Sequence, residues 1–265
     1  MFDELIATVR TLRRRCPWDR KQTAASTRPL LLNETYELED ALRRRDDGDV
    51  AEELGDYLFM GVFLADVLAT ERGIKLKSVL TAIVQKLKER HPHIYGTARV
   101  KDADEVLANW EVIKRRQKQR RTVLEGIPVA LPALQQAELI QERCRRVGFD
   151  WDDPAAVLDK VEEEVAELRV ELKRGRANRP AVREEAGDLM FALVNLCRHL
   201  GLDAEGTLKD ANRKFTARFN KVEAEFRRAG SGLSGASLEE MEAAWQRAKK
   251  PAPRRSGRRA TRRRG

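Results

Sequence analysis

The stretch EEEVAELRVELKRGRANRPAVREEAGDLMFALVNLCR, residues 162–198, decides the fold. Each residue of an α-helix turns by about 100°, so the first, second and fifth positions of an EExxE string share one arc of the helix surface. Glu163, Glu164 and Glu167 share such an arc before the connection KRGRANRP, and Glu184, Glu185 and Asp188 share another after it. A connection this short favours antiparallel neighbours, which lets the two acidic arcs face each other. Carboxylates gathered in a small volume repel unless a cation joins them. A hard divalent ion with oxygen ligands fits, and Mg²⁺ is the commonest such ion that also holds phosphates.

A lone ExxE is ordinary solvated helix surface. Here the context differs. Asp188 opens directly into LMFALVNLC, which reads as buried all round, and Glu167 sits beside Val165 and Leu168. Gly187 interrupts a helical pattern at a cost of about 1 kcal/mol against Ala, so the expectation is that something approaches the backbone there.

Working outward, helical signals dominate and strand signals are almost absent. Asp49 with Glu52 reads as a capping pair before a segment running to about Arg72, where Gly73 stops it. Asp153 then Pro154 opens the helix that reaches Gly175, and Ser237 with Glu240 opens the last one. Further helices are expected over about 2–14, 28–45, 76–90, 103–119, 133–146, 180–200 and 204–228. The fold class is therefore all-α.

The two halves repeat. Trp18-Asp19 recurs as Trp151-Asp152, Glu34 and Glu37 as Glu164 and Glu167, and Glu52-Glu53-Leu54-Gly55-Asp56 as Glu184-Glu185-Ala186-Gly187-Asp188. Lys86 and Arg90 match Lys214 and Arg218, while Trp110 and Lys114 match Trp245 and Lys249. The shifts, 133, 130, 132, 128 and 135 residues, are nearly constant. Tandem domains of four to five helices at 1–120 and 121–250 explain all of them, with a basic segment at 251–265 that lacks apolar periodicity and is expected to be disordered.

Charge supports this division. Of the 52 Lys and Arg, nine lie in the last seventeen residues, leaving 43 basic residues against 43 acidic ones in 1–248. A neutral body argues against a nucleic-acid-binding domain, which carries its basic stripe on a folded face. The longest apolar run, Leu189 to Val194, is far short of the roughly 20 residues a membrane span needs. No secretory signal is visible at MFDELIATVR. Three cysteines without a CxxC pair point to reduced thiols in a cytoplasm, and with only three histidines beside them a structural zinc site is not expected.

A second constellation is basic and aromatic. Lys214 and Arg218, like Trp245 and Lys249, stand four apart, so each pair presents two groups on one helical face. Cationic side chains hold phosphates and Trp stacks on a base, which complements a metal-bound nucleotide. His91 and His93 flank Pro92 in a turn, and His199 is expected to cap the helix it ends.

CPWDRKQT at 16–23, NETYELEDAL at 33–42, EELGDYLF at 52–59, RHPHIYG at 90–96, GIPVALPAL at 126–134, EEEVAEL at 162–168, EEAGDLMFALVNLCR at 184–198, ANRKF at 211–215 and SLEEMEAAWQRAK at 237–249 resemble the MazG family of nucleoside triphosphate pyrophosphohydrolases, over about residues 1–250. The resemblance implies tandem all-α MazG domains, a homodimer, and Mg²⁺-dependent cleavage of nucleoside triphosphates to monophosphate and pyrophosphate. By position, Glu164, Glu167, Glu185 and Asp188 resemble the metal ligands, with Glu163 as the first Glu of the signature. Lys214, Arg218, Trp245 and Lys249 resemble nucleotide-contacting positions.

One departure falls in the N-terminal half, where Asn33 stands opposite Glu163 and leaves Glu34, Glu37, Glu53 and Asp56. A second metal site can form there, but catalysis is expected mainly from the C-terminal domain. Glu163 is the residue expected to orient the attacking water, with Glu184 as the alternative. The competing reading is a nucleic-acid-associated regulatory or dimerisation protein, in which the basic tail gives weak, salt-sensitive binding.

Overall fold

The computed structural model describes residues 1–103, 105–106, 109–110, 113, 122–175 and 178–249. The chain divides into two compact units, Met1–Gln119 and Arg120–Gly265. Most of the helix expected over 103–119, with Lys114, and the whole 251–265 tail lie outside the described residues. Among the described residues every regular element is helical, and none is long and apolar enough to cross a membrane.

The first unit contains α1 (Phe2–Arg15), α2 (Ala24–Arg44), α3 (Asp47–Arg72), α4 (Leu76–Arg90) and a single turn, α5 (Pro92–Tyr95). Acids in the first turn of α1 and arginines in its last complement the helix dipole. Thr23 and Ser26 close a reciprocal capping box before α2. α3 ends at Gly73, whose φ of 68° takes the left-handed conformation open to a residue without Cβ. Its start corrects the sequence expectation. Asp46, not Asp49, is the cap, because its carboxylate accepts from the backbone N–H groups of Gly48 and Asp49 at 3.1 and 3.4 Å. α2 lies along α3, and Val9, Val62, Phe63 and Val67 form the buried apolar cluster between α1 and α3.

The second unit contains α6 (Ala133–Arg145), α7 (Pro154–Lys173), α8 (Arg179–His199), α9 (Ala204–Arg228) and α10 (Leu238–Lys249). Asp153 caps α7 by accepting from Ala155 N–H at 2.8 Å, ahead of Pro154 at the first helical position. Ser237 and Glu240 cap α10 reciprocally, at 3.2 and 2.8 Å. α7 pairs along α8 as α2 does along α3.

Three further expectations are corrected here. The run LMFALVNLC is not buried all round: Ala192, Val194 and Asn195 are buried, but Met190 is 61% exposed. The packing of α6, α7 and α9 covers one side of α8 and leaves the other bare. No other part of the protein closes on Gly187, since a Cβ added there, or at Gly55, would meet no atom within 4 Å outside the helix's own backbone. His199 does not cap α8; its Nε2 lies 2.9 Å from Asp150 Oδ1, beside Arg198, which reaches the same oxygen at 2.5 Å.

Candidate metal centre and its cavity

The α7–α8 pair brings Glu164, Glu185 and Asp188 together, so that one carboxylate oxygen from each lies within 4.8 Å of the others. Glu164 is only 6% exposed, whereas Asp188 is exposed. Loss of water, then the charges of Glu167, Glu164, Asp188 and Glu184, push the pKa of Glu185 above the ordinary carboxylate range. That repulsion is what a bound cation would relieve. Glu167 itself is exposed and stands outside the group of three.

Glu163 stands outside the group of three. Its side chain is 56% exposed and accepts from Lys160 Nζ at 2.9 Å. The same ammonium lies 2.8 Å from Glu164 Oε1. Hydrogen bonds to Glu164 and Glu163 hold Lys160 well above its ordinary pKa. Lys160 went unnoticed in the sequence, although its spacing of four from Glu164 is the signal that could have found it.

Beside the carboxylates opens a cavity of about 240 Å³, whose lining includes Lys160, Glu164, Asp188, Trp151 and Phe191. Lys214, Arg218, Trp245 and Lys249 do not line it. They belong to the α9–α10 pair, where the Trp245 ring stands 4.9 Å from Phe215 and the Lys249 ammonium lies 5.9 Å from the Trp245 ring centre.

The first unit repeats the acidic group with different membership. Glu34, Glu37 and Glu53 place carboxylate oxygens within 4.8 Å of one another, and Asp56 stands outside the group. Loss of water and then the neighbouring acids raise the pKa of Glu34 and of Glu53, Asp56 contributing to both. An open groove of about 260 Å³ alongside is lined by Asn33, Tyr36, Glu37, Asp40, Arg44 and Glu53. The position matching Lys160 holds Leu30, and the position matching Glu163 holds Asn33. No cation is supplied one turn before Glu34.

Comparison with known proteins shows the family. The model of the MazG nucleotide pyrophosphohydrolase domain matches twice, at residues 22–95 and 152–223, which span both acidic groups. A nucleoside triphosphate pyrophosphohydrolase of Escherichia coli (strain K12) is 43% identical over 94% of this chain and 97% of its own length. The nucleoside triphosphate pyrophosphohydrolase/pyrophosphatase MazG of Thermotoga maritima is 39% identical over 94% of this chain and 96% of its own. A solved MazG-related protein from Thermotoga maritima superposes with a TM-score of 0.40 at 26% identity, covering 43% of this chain and 98% of that one. With two matches to the domain and relatives similar over nearly their whole length, this chain belongs to the MazG nucleotide pyrophosphohydrolase family.

Proposed function

We propose that the chain hydrolyses nucleoside triphosphates to nucleoside monophosphate and pyrophosphate, with Mg²⁺ as cofactor and chiefly through its C-terminal unit. The names of the two long relatives support the reaction. The observation that carries the site is the meeting of Glu164, Glu185 and Asp188 at the edge of a cavity.

The donor set fits a hard divalent cation: three carboxylates within reach of one ion, one of them nearly buried and another held up in pKa by its neighbours. Glu164, Glu185 and Asp188 would hold it, with Glu167 nearby. Bound there, Mg²⁺ supplies positive charge to the phosphate chain and makes a water more acidic. Lys160 fixes Glu163 and Glu164 relative to each other. Glu163 is the base that takes the proton of the attacking water, whose oxygen bonds to the α-phosphorus as the bridge to the β-phosphate breaks. Lys214 and Arg218 neutralise the departing pyrophosphate, and Trp245 with Lys249 contacts the nucleotide.

Dominance of the C-terminal unit rests on Asn33 and Leu30, which replace a carboxylate and a cation at the two positions flanking the acidic group. A homodimer is supported by the bare side of α8, where Met190 and Leu193 are 61% and 43% exposed and free to bury against a second copy. Binding of nucleic acid by the 251–265 tail is a separate activity of the basic residues there and does not enter the hydrolysis.

The test is pyrophosphate release from nucleoside triphosphates with and without Mg²⁺. Release that requires the ion supports the reading. Release of phosphate instead, or equal rates in chelator, defeats it.

A further inference from the structure

The register that sets Glu52–Asp66 of α3 on Glu184–Arg198 of α8, a shift of 132 residues, also sets α1 on α6, where Val9 and Gln141 are the buried positions. In that register Arg13 and Arg14 stand opposite Arg145 and Arg146, and Arg10 stands opposite Glu142. The last exchange reverses a charge. In the second unit Glu142 accepts from Arg145 at 2.8 and 2.9 Å and from Arg146 at 2.9 Å, so one carboxylate serves both arginines. In the first unit the matching position adds a third cation instead.

Arg10 and Arg14 are four apart on α1, a spacing at which like charges destabilise a helix. Among the described residues neither has a carboxylate partner, and the same holds for Arg20 in the 3₁₀ turn Asp19–Lys21. With Arg13 they line an open groove of about 320 Å³, completed by Asp66 and Thr70 of α3. Arg13 is the fixed member. Its side chain is 10% exposed, donates to the backbone carbonyl of Asp19 and, at 3.1 Å, to that of Gln22, and lies 3.6 Å from Asp66. Four arginines against one aspartate leave three positive charges in one concavity. The helix dipole accounts for Arg13 and Arg14 in the last turn of α1, but Arg10 lies outside that turn.

Guanidinium groups are planar, always charged and able to bind phosphate oxygens two at a time. A phosphate group carries about −1.5 to −2 at pH 7, so two linked phosphates match the excess charge of the groove better than one does. We propose that this groove is a binding site for a diphosphate group, held by Arg10, Arg14 and Arg20 beside the fixed Arg13. The anion supplies from outside the charge that Glu142 supplies within the second unit. The groove shares no residue with either acidic group and needs no metal, so the proposal stands or falls separately from the hydrolysis. The diphosphate can be free pyrophosphate or the phosphate chain of a nucleotide.

The experiment is calorimetric titration of the metal-free full chain with pyrophosphate, and in parallel with ADP, in wild type, Arg10→Glu and Arg20→Gln at about 0.15 M salt. One binding event for pyrophosphate should weaken about 10- to 100-fold in each variant, the loss expected for one hydrogen-bonded charged group. Arg10→Glu reproduces the arrangement of Glu142, so its melting temperature without the anion should equal or exceed that of wild type, and pyrophosphate should raise it less. ADP binding weakened by the same substitutions identifies a nucleotide's phosphate chain as the ligand; ADP binding indifferent to them identifies free pyrophosphate, and either result keeps the site. Equal pyrophosphate isotherms in all three proteins overturn the proposal, because binding then belongs to other basic residues, such as Lys214 and Arg218 or the 251–265 tail. Absence of binding to wild type overturns it too, as does a folded Arg10→Glu less stable than wild type without the anion. Arg20→Gln lies outside α1 and decides the matter if Arg10→Glu fails to fold.

Discussion

Lys160 reaches Glu164 from one helical turn away, its ammonium 2.8 Å from a carboxylate that is only 6% exposed. Both residues line the cavity, and the ion pair offsets part of the charge of the most deeply placed acid of the metal centre before any cation arrives. Lys160→Met should leave that carboxylate without a partner and lower the stability of the metal-free protein by about 1–3 kcal/mol, the range for an unpaired buried polar group. Urea unfolding measures this. Mg²⁺ should recover part of the loss, because a second cation takes the place of the first; a variant as stable as wild type without metal would contradict the pairing.

Glu185 should behave in the opposite sense. Its carboxylate is destabilised by lost solvation and by four neighbouring acids, so Glu185→Gln should raise the melting temperature of the metal-free protein. The same change should shrink the rise that Mg²⁺ produces in wild type, since one ligand charge is gone. A lower metal-free melting temperature, with the Mg²⁺ shift intact, would remove Glu185 from the centre.

Asp150 makes stability depend on pH. Burial works against its charged form, but hydrogen bonds from Arg198 and His199 outweigh that and hold its pKa below the ordinary carboxylate range. A folded pKa below the unfolded value, near 3.9 for Asp, means that the carboxylate stabilises the fold above that pH and ceases to as the pH falls through the lower, folded value. Asp150→Asn should therefore cost about 2 kcal/mol at pH 7, and the gap from wild type should narrow toward pH 3. A gap independent of pH would show that shape, not charge, is what Asp150 contributes.

Much of this was legible locally. Asp153-Pro154, Ser237 with Glu240 and Gly73 act on backbone groups within a few residues, so spacing alone reveals them. Sequence does not separate Asp46 from Asp47 and Asp49 as the cap, since only backbone geometry shows which carboxylate reaches the free N–H groups. The facing of Glu164 with Glu185 and Asp188 followed from a short connection between two acidic arcs. The outward side of α8 did not, since hydrophobicity sets what can be buried, while the neighbours of Met190 decide what is. Gln141 and Asn195 read as unremarkable polar residues in sequence. Their burial beside a cavity depends on Met60 and Phe63 having become Ala192 and Asn195 in the other half, a tertiary fact that periodicity does not carry.

The bare side of α8 bears on assembly. Met190→Glu and Leu193→Glu place charges on a face that a second copy would bury, so each should shift a dimer toward monomer in analytical ultracentrifugation while the monomer keeps its helical circular dichroism. An unchanged sedimentation coefficient for both variants would place the interface elsewhere.

The central claim, that catalysis belongs to the carboxylates of α7 and α8, is tested most directly by Mg²⁺-dependent pyrophosphate release from Glu164→Gln and Glu34→Gln, each shown to be folded. Glu34 has Asn33 before it and Leu30 a turn away, where Glu164 has Glu163 and Lys160. Loss of general-base help is worth roughly 10²–10⁴-fold, so the N-terminal site should contribute little to the wild-type rate. Near-complete loss of turnover in Glu164→Gln with nearly full turnover in Glu34→Gln is the expected result. Equal losses in the two variants, or full activity in Glu164→Gln, would contradict it.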